Sequence, residues 1–107
     1  MNAVANKRQY IERLKMALED LHNCGAIHRS TVPVHEVFRG QTVWQGHVEV
    51  FAITGHPKAS KCYGWSHPDG PDDKGERFVT VLELPPVESP VTAVRASIVA
   101  EAKKRKK

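Results

Sequence analysis

The spacing of apolar residues near the amino terminus predicts an amphipathic helix over residues 5 to 22. Ile11, Leu14, Leu18 and Leu21 recur at steps of three and four, which places them on one face of a helix. Most of the charged residues in this segment fall outside that stripe. Because an apolar stripe needs a partner surface, we expect this helix to pack on a sheet or on another helix.

Alternation of apolar and polar residues predicts the strongest strand over residues 42 to 54. Its even positions are mostly apolar, whereas its odd positions are mostly polar as far as Glu49. Phe51 and Ile53 break this alternation. We therefore expect the far end of the strand to be covered on both of its faces.

Three further segments have strand character. A third and a fourth strand are predicted over residues 60 to 67 and 77 to 84, on either side of a loop rich in glycine and proline. Residues 31 to 38 also have strand composition, but Pro33 cannot donate to a ladder and confines them to a sheet edge or an extended lead-in. The connections are too short for crossover helices, so we expect consecutive strands to pair antiparallel.

A second helix is predicted to begin at Ser89 and Pro90. Serine is a favoured helix cap, and proline is favoured at the first helical position. Four apolar residues follow at steps of three, four and four: Val91, Val94, Ile98 and Ala102. Val99 widens the apolar face that they form. This spacing predicts that the second helix also buries one face.

The order of these elements indicates an α+β fold built as two layers. We expect an antiparallel sheet of three to four strands, in the order α-β-β-β-β-α, with the N-terminal and the C-terminal helix packed on one face. Residues 1 to 102 are expected to form a single α+β domain, because 107 residues can bury one core and no linker divides them. The sequence leaves open which sheet face is exposed and whether residues 31 to 38 form a strand.

The order of a helix, three antiparallel strands and a helix is similar to that of double-stranded-RNA-binding domains. In that family the second helix begins with a lysine-rich cluster that binds phosphates. Residues 89 to 94 stand at the matching place in this chain, and they contain no cation before Arg95. The resemblance therefore extends to the order of elements, and no RNA-binding residue is transferred from it.

The positive charge of the chain lies at its carboxyl end. The sequence has 16 Lys and Arg and 12 Asp and Glu, for a net charge of +4. The last five residues are all basic, which leaves a net charge of −1 on the rest: Lys103, Lys104, Arg105, Lys106 and Lys107. One interpretation is a solubilising end that suits the C-terminal pole of a helix. The other is a basic tail that binds nucleic acid or another anionic surface.

The third strand carries the leading candidate for a binding surface. Lys61, Tyr63, Trp65 and His67 share one parity, whereas the opposite parity holds small residues. Because small residues suit a position beneath packed helices, we expect the aromatic face to be exposed and to bind a protein partner or a second copy of the chain. Cations between aromatic rings also suit stacking on nucleic-acid bases. The competing interpretation is that Tyr63 and Trp65 pack in the core.

Six histidines and two cysteines raise the alternative of a small-ligand or metal-binding domain. In sequence they cluster as two groups: His22, Cys24 and His28, then His56, Cys62 and His67. Neither group has the paired spacing of a structural zinc site, so no metal ligand is predicted. The common nucleotide-binding and hydrolase motifs are also missing, so we expect no catalytic residue and no cofactor.

The amino-terminal residues give an expectation about localisation. They mix basic and acidic residues with apolar ones and contain no hydrophobic signal core, and no apolar stretch approaches the ~18 residues of a membrane span. We therefore expect a cytoplasmic chain with no membrane contact and with free thiols. The sequence as a whole favours a small non-enzymatic binding or accessory module. Its partner is expected to be a protein or a second copy, with nucleic acid as the alternative.

Overall fold

The computed structural model describes residues 3–69 and 75–105, with side chains for residues 7–66 and 77–103. The elements are α1 (Ala3–His22), β1 (Gly25–Phe38), β2 (Gln41–Thr54), β3 (Lys61–Asp69), β4 (Gly75–Leu82) and α2 (Pro90–Arg105). The four strands form one antiparallel sheet in the order β1-β2-β3-β4. The expected α+β class and order of elements are confirmed. Neither helix, within these described residues, has the length and apolar character needed to cross a membrane.

β1 is an edge strand, as its proline predicts, but it is much longer than the sequence indicates. It pairs with β2 from Gly25, opposite Thr54, to Phe38, opposite Gln41. Pro33 lies within the paired stretch, at a position where the sheet has no neighbour on the other side among the described strands. A missing N–H is tolerated there because an edge strand has one row of backbone groups outside the ladder.

The two helices lie on opposite faces of the sheet. Leu14 of α1 packs over Gly64 of β3, where an added Cβ would lie 3.1 Å from Leu14 Cδ1. The neighbouring Trp65 is buried instead with Ala93 and Val94 of α2. Consecutive strand residues point to opposite faces, so α1 and α2 cover different sides. The structure thus corrects the expected two layers with both helices on one face: the molecule has three layers, in the order helix, sheet, helix.

Each face of the sheet carries its own apolar core. The core beneath α1 consists of Leu14, Leu18, Ala26, Phe51, Ile53, Ala59 and Cys62. The core beneath α2 consists of Val34, Val48, Val50, Tyr63, Trp65, Val87, Ala93 and Val94. The far end of β2 contributes to both, which confirms the expectation drawn from Phe51 and Ile53.

Local hydrogen bonds fix the ends of both helices. Asn23 adopts the left-handed conformation after α1, with φ 53°, and Glu19 Oε2 accepts the Ala26 N–H at 2.9 Å. These contacts turn the chain directly from α1 into β1. At the start of α2, Ser89 Oγ accepts the Thr92 N–H at 3.2 Å, which confirms the predicted cap.

Candidate interaction surface

The aromatic residues of β3 lie in the core. Tyr63 and Trp65 are each 2% exposed beneath α2, whereas Lys61 is exposed. The Trp65 ring meets the Trp44 ring edge-on, with centroids 5.6 Å apart. The Tyr63 hydroxyl donates a 2.7 Å hydrogen bond to Glu83, and burial together with this carboxylate raises the pKa of Tyr63. The expectation that this aromatic face is exposed is wrong, because α2 covers Tyr63 and Trp65.

The other residues of the expected surface are only partly described. The backbone of His67 belongs to β3, but its side chain lies outside the described side chains. Lys103 is exposed near the end of α2, and the helix backbone continues to Arg105. The remainder of the basic tail falls outside the described side chains, namely Lys104, Arg105, Lys106 and Lys107.

The histidines and cysteines assemble no group of three or more metal-ligating side chains within the described part of the chain. Burial and the neighbouring Cys24 raise the pKa of the Cys62 thiol to about 12, and burial also raises the pKa of Cys24. Both cysteines are free, and raised pKa values keep them as protonated thiols near neutral pH. His56 Nδ1 accepts the backbone N–H groups of Lys58 and Ala59, each at 3.0 Å, so it stabilises a turn.

Glu49 is a fully buried acidic residue on the α1 face, with 2% of its surface exposed. Its Oε1 accepts a 2.5 Å hydrogen bond from Thr31 Oγ1 and lies 2.8 Å from His28 Nε2. The His28 ring also meets Phe51 edge-on at 5.4 Å. Both polar partners come from β1, so the carboxylate ties β1 to β2 from inside the sheet. Hydrogen bonds of this kind offset the cost of burying a carboxylate.

An apolar groove separates the tip of the β1–β2 hairpin from α2. We call it the tip groove, and its apolar walls are Val37, Phe38, Val43, Ile98 and Val99. Its volume is about 510 Å³. Four of these five side chains are among the exposed large hydrophobics, with Phe38 at 61% and Val99 at 53%. The tip groove therefore gathers apolar surface that folding leaves in contact with water.

A two-residue turn places Phe38 at the end of the hairpin. Arg39 and Gly40 both have positive φ, 54° and 78°, and Phe38 pairs with Gln41 across them. This is the backbone of a type I′ hairpin turn, in which asparagine and glycine are preferred. Arg39 occupies the first position at a cost in backbone strain, and its guanidinium lies 5.2 Å from the Phe38 ring centroid. The turn thus presents an aromatic ring and a cation together.

Two charged residues line the tip groove, Glu36 and Arg95. Arg95 is 63% exposed, and its Nε donates a 2.6 Å hydrogen bond to Glu36 Oε1. Lys103 is exposed four residues after Val99, which is one helical turn along the same face of α2. Arg39 directly follows Phe38 in the hairpin turn, so exposed cations neighbour lining residues on both the hairpin and the helix.

Sequence patterns did not identify the tip groove. Val37 and Phe38 lie in the segment predicted as an edge strand or an extended lead-in, and the spacing of α2 predicts Val99 on its buried face. Val99 is exposed because α2 crosses the sheet so that Val94 and Ala93 take the core positions. The position of Phe38 directly before Arg39 and Gly40 is the one sequence feature that points to this groove. Residues that flank a two-residue turn lie at the tip of a hairpin, so this aromatic side chain is expected there.

Comparison of the chain with protein-family models, with curated proteins and with solved structures gives no match.

Proposed function

We propose that this chain is a protein-interaction module whose tip groove binds an acidic amphipathic segment of a partner protein. The observation that carries the proposal is the convergence of exposed apolar residues. Four of the seven exposed large hydrophobic side chains in the described residues line this groove. Single exposed apolar residues are ordinary, whereas a contiguous patch of them is typical of an interaction site.

The shape of the groove favours a polypeptide segment as its occupant. One wall is the hairpin with Phe38, and the other is a helix face with Ile98 and Val99. A concave space between two such walls fits the apolar ridge of a helix, which places anchors at positions i, i+3 or i+4, and i+7. Aromatic and arginine residues such as Phe38 and Arg39 are enriched at binding surfaces.

The charges at the rim indicate an acidic occupant. Arg95 uses one donor on Glu36 and keeps its remaining guanidinium donors for other acceptors. Arg39 and Lys103 are exposed, and each neighbours a lining residue: Arg39 follows Phe38, and Lys103 lies one helical turn after Val99. Carboxylates beside the apolar anchors of the partner would meet these cations, which increases the association rate and selects against basic segments.

The competing functions have less support from the described residues. A nucleic-acid interface would keep Lys61 and the basic tail, but it loses its stacking platform because Tyr63 and Trp65 are buried. An enzyme would need a nucleophile or a general base in a pocket. Because the pKa values of their thiols are raised, Cys24 and Cys62 are poorly suited to act as nucleophiles.

Fluorescence anisotropy with a designed peptide tests the proposal. The probe is a fluorescein-labelled helical peptide of about 15 residues, with leucines at i, i+4 and i+7 and glutamates at its other exposed positions. We expect it to bind the wild-type chain, with an affinity that falls as salt is added. Phe38→Ser should weaken binding roughly tenfold or more, because it removes the largest apolar wall.

Ile27→Ser is the matched control for this experiment. Ile27 is a comparably exposed apolar residue of β1, 55% against 61% for Phe38, but it lies near the other end of the strand. It should leave the affinity unchanged, and a peptide with lysines in place of glutamates should bind weakly. Equal effects of the two substitutions, or no binding of the acidic peptide, contradict the proposal. Binding of a single-stranded oligonucleotide that survives Phe38→Ser would instead support the nucleic-acid alternative.

A further inference from the structure

A second groove follows the outer edge of β4, the last strand of the sheet among the described residues, on the other side of α2. Its floor is residues 77 to 81, which belong to β4, and its volume is about 430 Å³. The walls come from both helices: Leu21 of α1 on one side, and Ala96, Ser97 and Ala100 of α2 on the other. Leu21 is 70% exposed, and the α2 wall is made of small side chains. The groove therefore leads directly to the backbone of an edge strand.

The free backbone groups of this edge can be assigned from the ladder. Glu83 N–H donates to the Lys61 carbonyl at 3.0 Å, and residues 61 and 83 lie one step beyond the Cys62–Leu82 pair. In an antiparallel ladder, hydrogen-bonded pairs alternate along the strand, so residues 79 and 81 also point their backbone groups toward β3. Phe78 and Thr80 must then point their N–H and C=O groups outward, into the groove.

The two edges of the sheet differ in how they resist strand pairing. β1 contains Pro33, and its register is interrupted between His28 and Ser30 and between Glu36 and Val37. Prolines and bulges of this kind discourage a further strand from pairing with an edge. β4 runs in unbroken register from Gly75 to Leu82. Residues 78 to 82 of β4 carry neither a charge nor a proline, so the edge is open to another strand.

We infer that a second copy of this chain occupies the β4 edge, through antiparallel pairing of β4 with β4 across a two-fold axis at Thr80. This register places Arg77 of each copy, which pairs with Glu101 of its own chain at 3.5 Å, beside Glu83 of the other. Glu83 follows the end of β4, accepts a hydrogen bond from the Tyr63 hydroxyl and lies on the same face as Arg77. The same register places Val79 opposite Val81, and Phe78 opposite Leu82. The edge is thus complementary to itself in charge and in apolar character, which an isologous interface requires.

The helices fit this arrangement as well as the strands do. With the two-fold axis perpendicular to the sheet, α1 meets α1 on one face and α2 meets α2 on the other. The small side chains of Ala96 and Ala100 allow the two α2 helices to approach closely, and Leu21 loses its exposure to water. The result is a continuous eight-stranded sheet. It uses a different side of α2 from the tip groove, so both surfaces can be occupied at once.

Light scattering and hydrogen exchange of the purified chain test this inference together. We expect the mass to rise toward that of a dimer with concentration. The Phe78 and Thr80 amides should become protected over the same range, whereas the Val79 and Val81 amides should be protected throughout. A monomer at roughly 0.5 mM, well above ordinary dissociation constants, overturns the inference. A dimer in which the Phe78 and Thr80 amides still exchange rapidly overturns the β4 pairing.

Two pairs of substitutions separate the interface from general effects on folding. Leu21→Lys and Ala100→Arg place long cations in the groove and should raise the dimer dissociation constant at least tenfold. The controls are Met16→Lys, at a residue 64% exposed on α1, and Ala102→Arg, at an exposed residue of α2 that does not line the groove. The controls should leave the dissociation constant unchanged. Equal effects of controls and tests contradict the assigned surface.

Discussion

At the scale of single residues, Glu49 shows how the interior accommodates a carboxylate. It is the only charged side chain in the buried set of the described residues, and Thr31 and His28 are its hydrogen-bond partners. Removal of the carboxylate leaves these two polar groups without their acceptor. Such losses are larger than the loss of one hydrogen bond between groups that can return to water.

Substitutions at this cluster should therefore be graded. Thr31→Val removes one hydrogen bond and should lower the free energy of unfolding by about 1 kcal/mol. Glu49→Ala leaves His28 and Thr31 unpaired, opens a cavity, and should cost about 3 kcal/mol or more. Urea unfolding followed by tryptophan fluorescence measures both. Equal stability of Glu49→Ala and the wild type would show that the cluster does not contribute to folding.

His22 should make the stability depend on pH. Its Nε2 lies 2.8 Å from Thr80 Oγ1, and burial, followed by the neighbouring His56, lowers the pKa of His22 below 6.5. The unfolded chain then binds a proton on His22 more readily than the folded chain does. The stability contributed by neutral His22 is present above about pH 6.5 and is lost as the pH falls toward the lowered pKa.

The variant His22→Gln isolates this effect from the other histidines. The wild type should lose more stability than the variant between about pH 7.5 and pH 5, because glutamine does not titrate. The free energy of unfolding of the wild type minus that of the variant should thus decrease on acidification. A difference that stays constant, or increases, contradicts the assigned environment of His22.

At the scale of elements, the contact between α1 and β3 depends on a residue without a side chain. A Cβ at Gly64 would lie between 3.1 and 3.3 Å from three atoms of the Leu14 side chain, which is fully buried. Gly64→Ala should therefore destabilise the protein by about 1 to 3 kcal/mol through overpacking. Thermal or urea unfolding measures the loss.

The double variant Gly64→Ala with Leu14→Ala tests whether that contact is the cause. Leu14→Ala alone should cost about 2 to 5 kcal/mol, because it leaves a cavity beneath α1. In the double variant the new methyl group partly fills this cavity, so the total loss should be smaller than the sum of the two single losses. Strict additivity would show that α1 does not pack on β3 at Gly64.

The elements were predictable from local pattern, but the side of the sheet that each helix covers was not. The helices, the later strands, the edge position of Pro33 and the Ser89 cap all follow from spacing and from the chemistry of single residues. Choosing a face depends on how the connection before α2 crosses the sheet edge, which is a tertiary property. Gly64, one of the small residues of β3, does lie beneath a helix, as its parity predicts.

A further signal for coverage on both faces was present in β4. Phe78 and Leu82 face α1, whereas Val79 and Val81 face α2. A strand that is apolar at both parities is typical of a sheet covered on both sides. Phe51 and Ile53 break the alternation of β2 in the same way. Together these patterns favour burial of the β3 face that carries Tyr63 over its exposure. The sequence indicates the tip groove only weakly, because its walls come from three separate elements, β1, β2 and α2, that meet only in the folded chain.

At the scale of the whole molecule, helices on both faces leave the periphery of the sheet for contacts with partners. The tip groove lies at one end of the β1–β2 hairpin, and the β4 edge lies at the last strand of the sheet. The net charge of +4 arises from the last five residues, the first of which follows Val99 by one turn of α2. Lys103, the basic residue of this end whose side chain is described, thus lies one helical turn from a wall of the groove for which we propose an acidic partner.

Chemical-shift mapping tests the central claim most directly. The isotopically labelled chain is titrated with the acidic amphipathic peptide while amide and methyl resonances are recorded. Perturbations should centre on the walls of the tip groove and on Arg39 and Arg95, and they should leave the β3 amides beside Tyr63 and Trp65 unchanged. Perturbations that centre on β3, or an unperturbed tip groove at saturating peptide, would contradict the account.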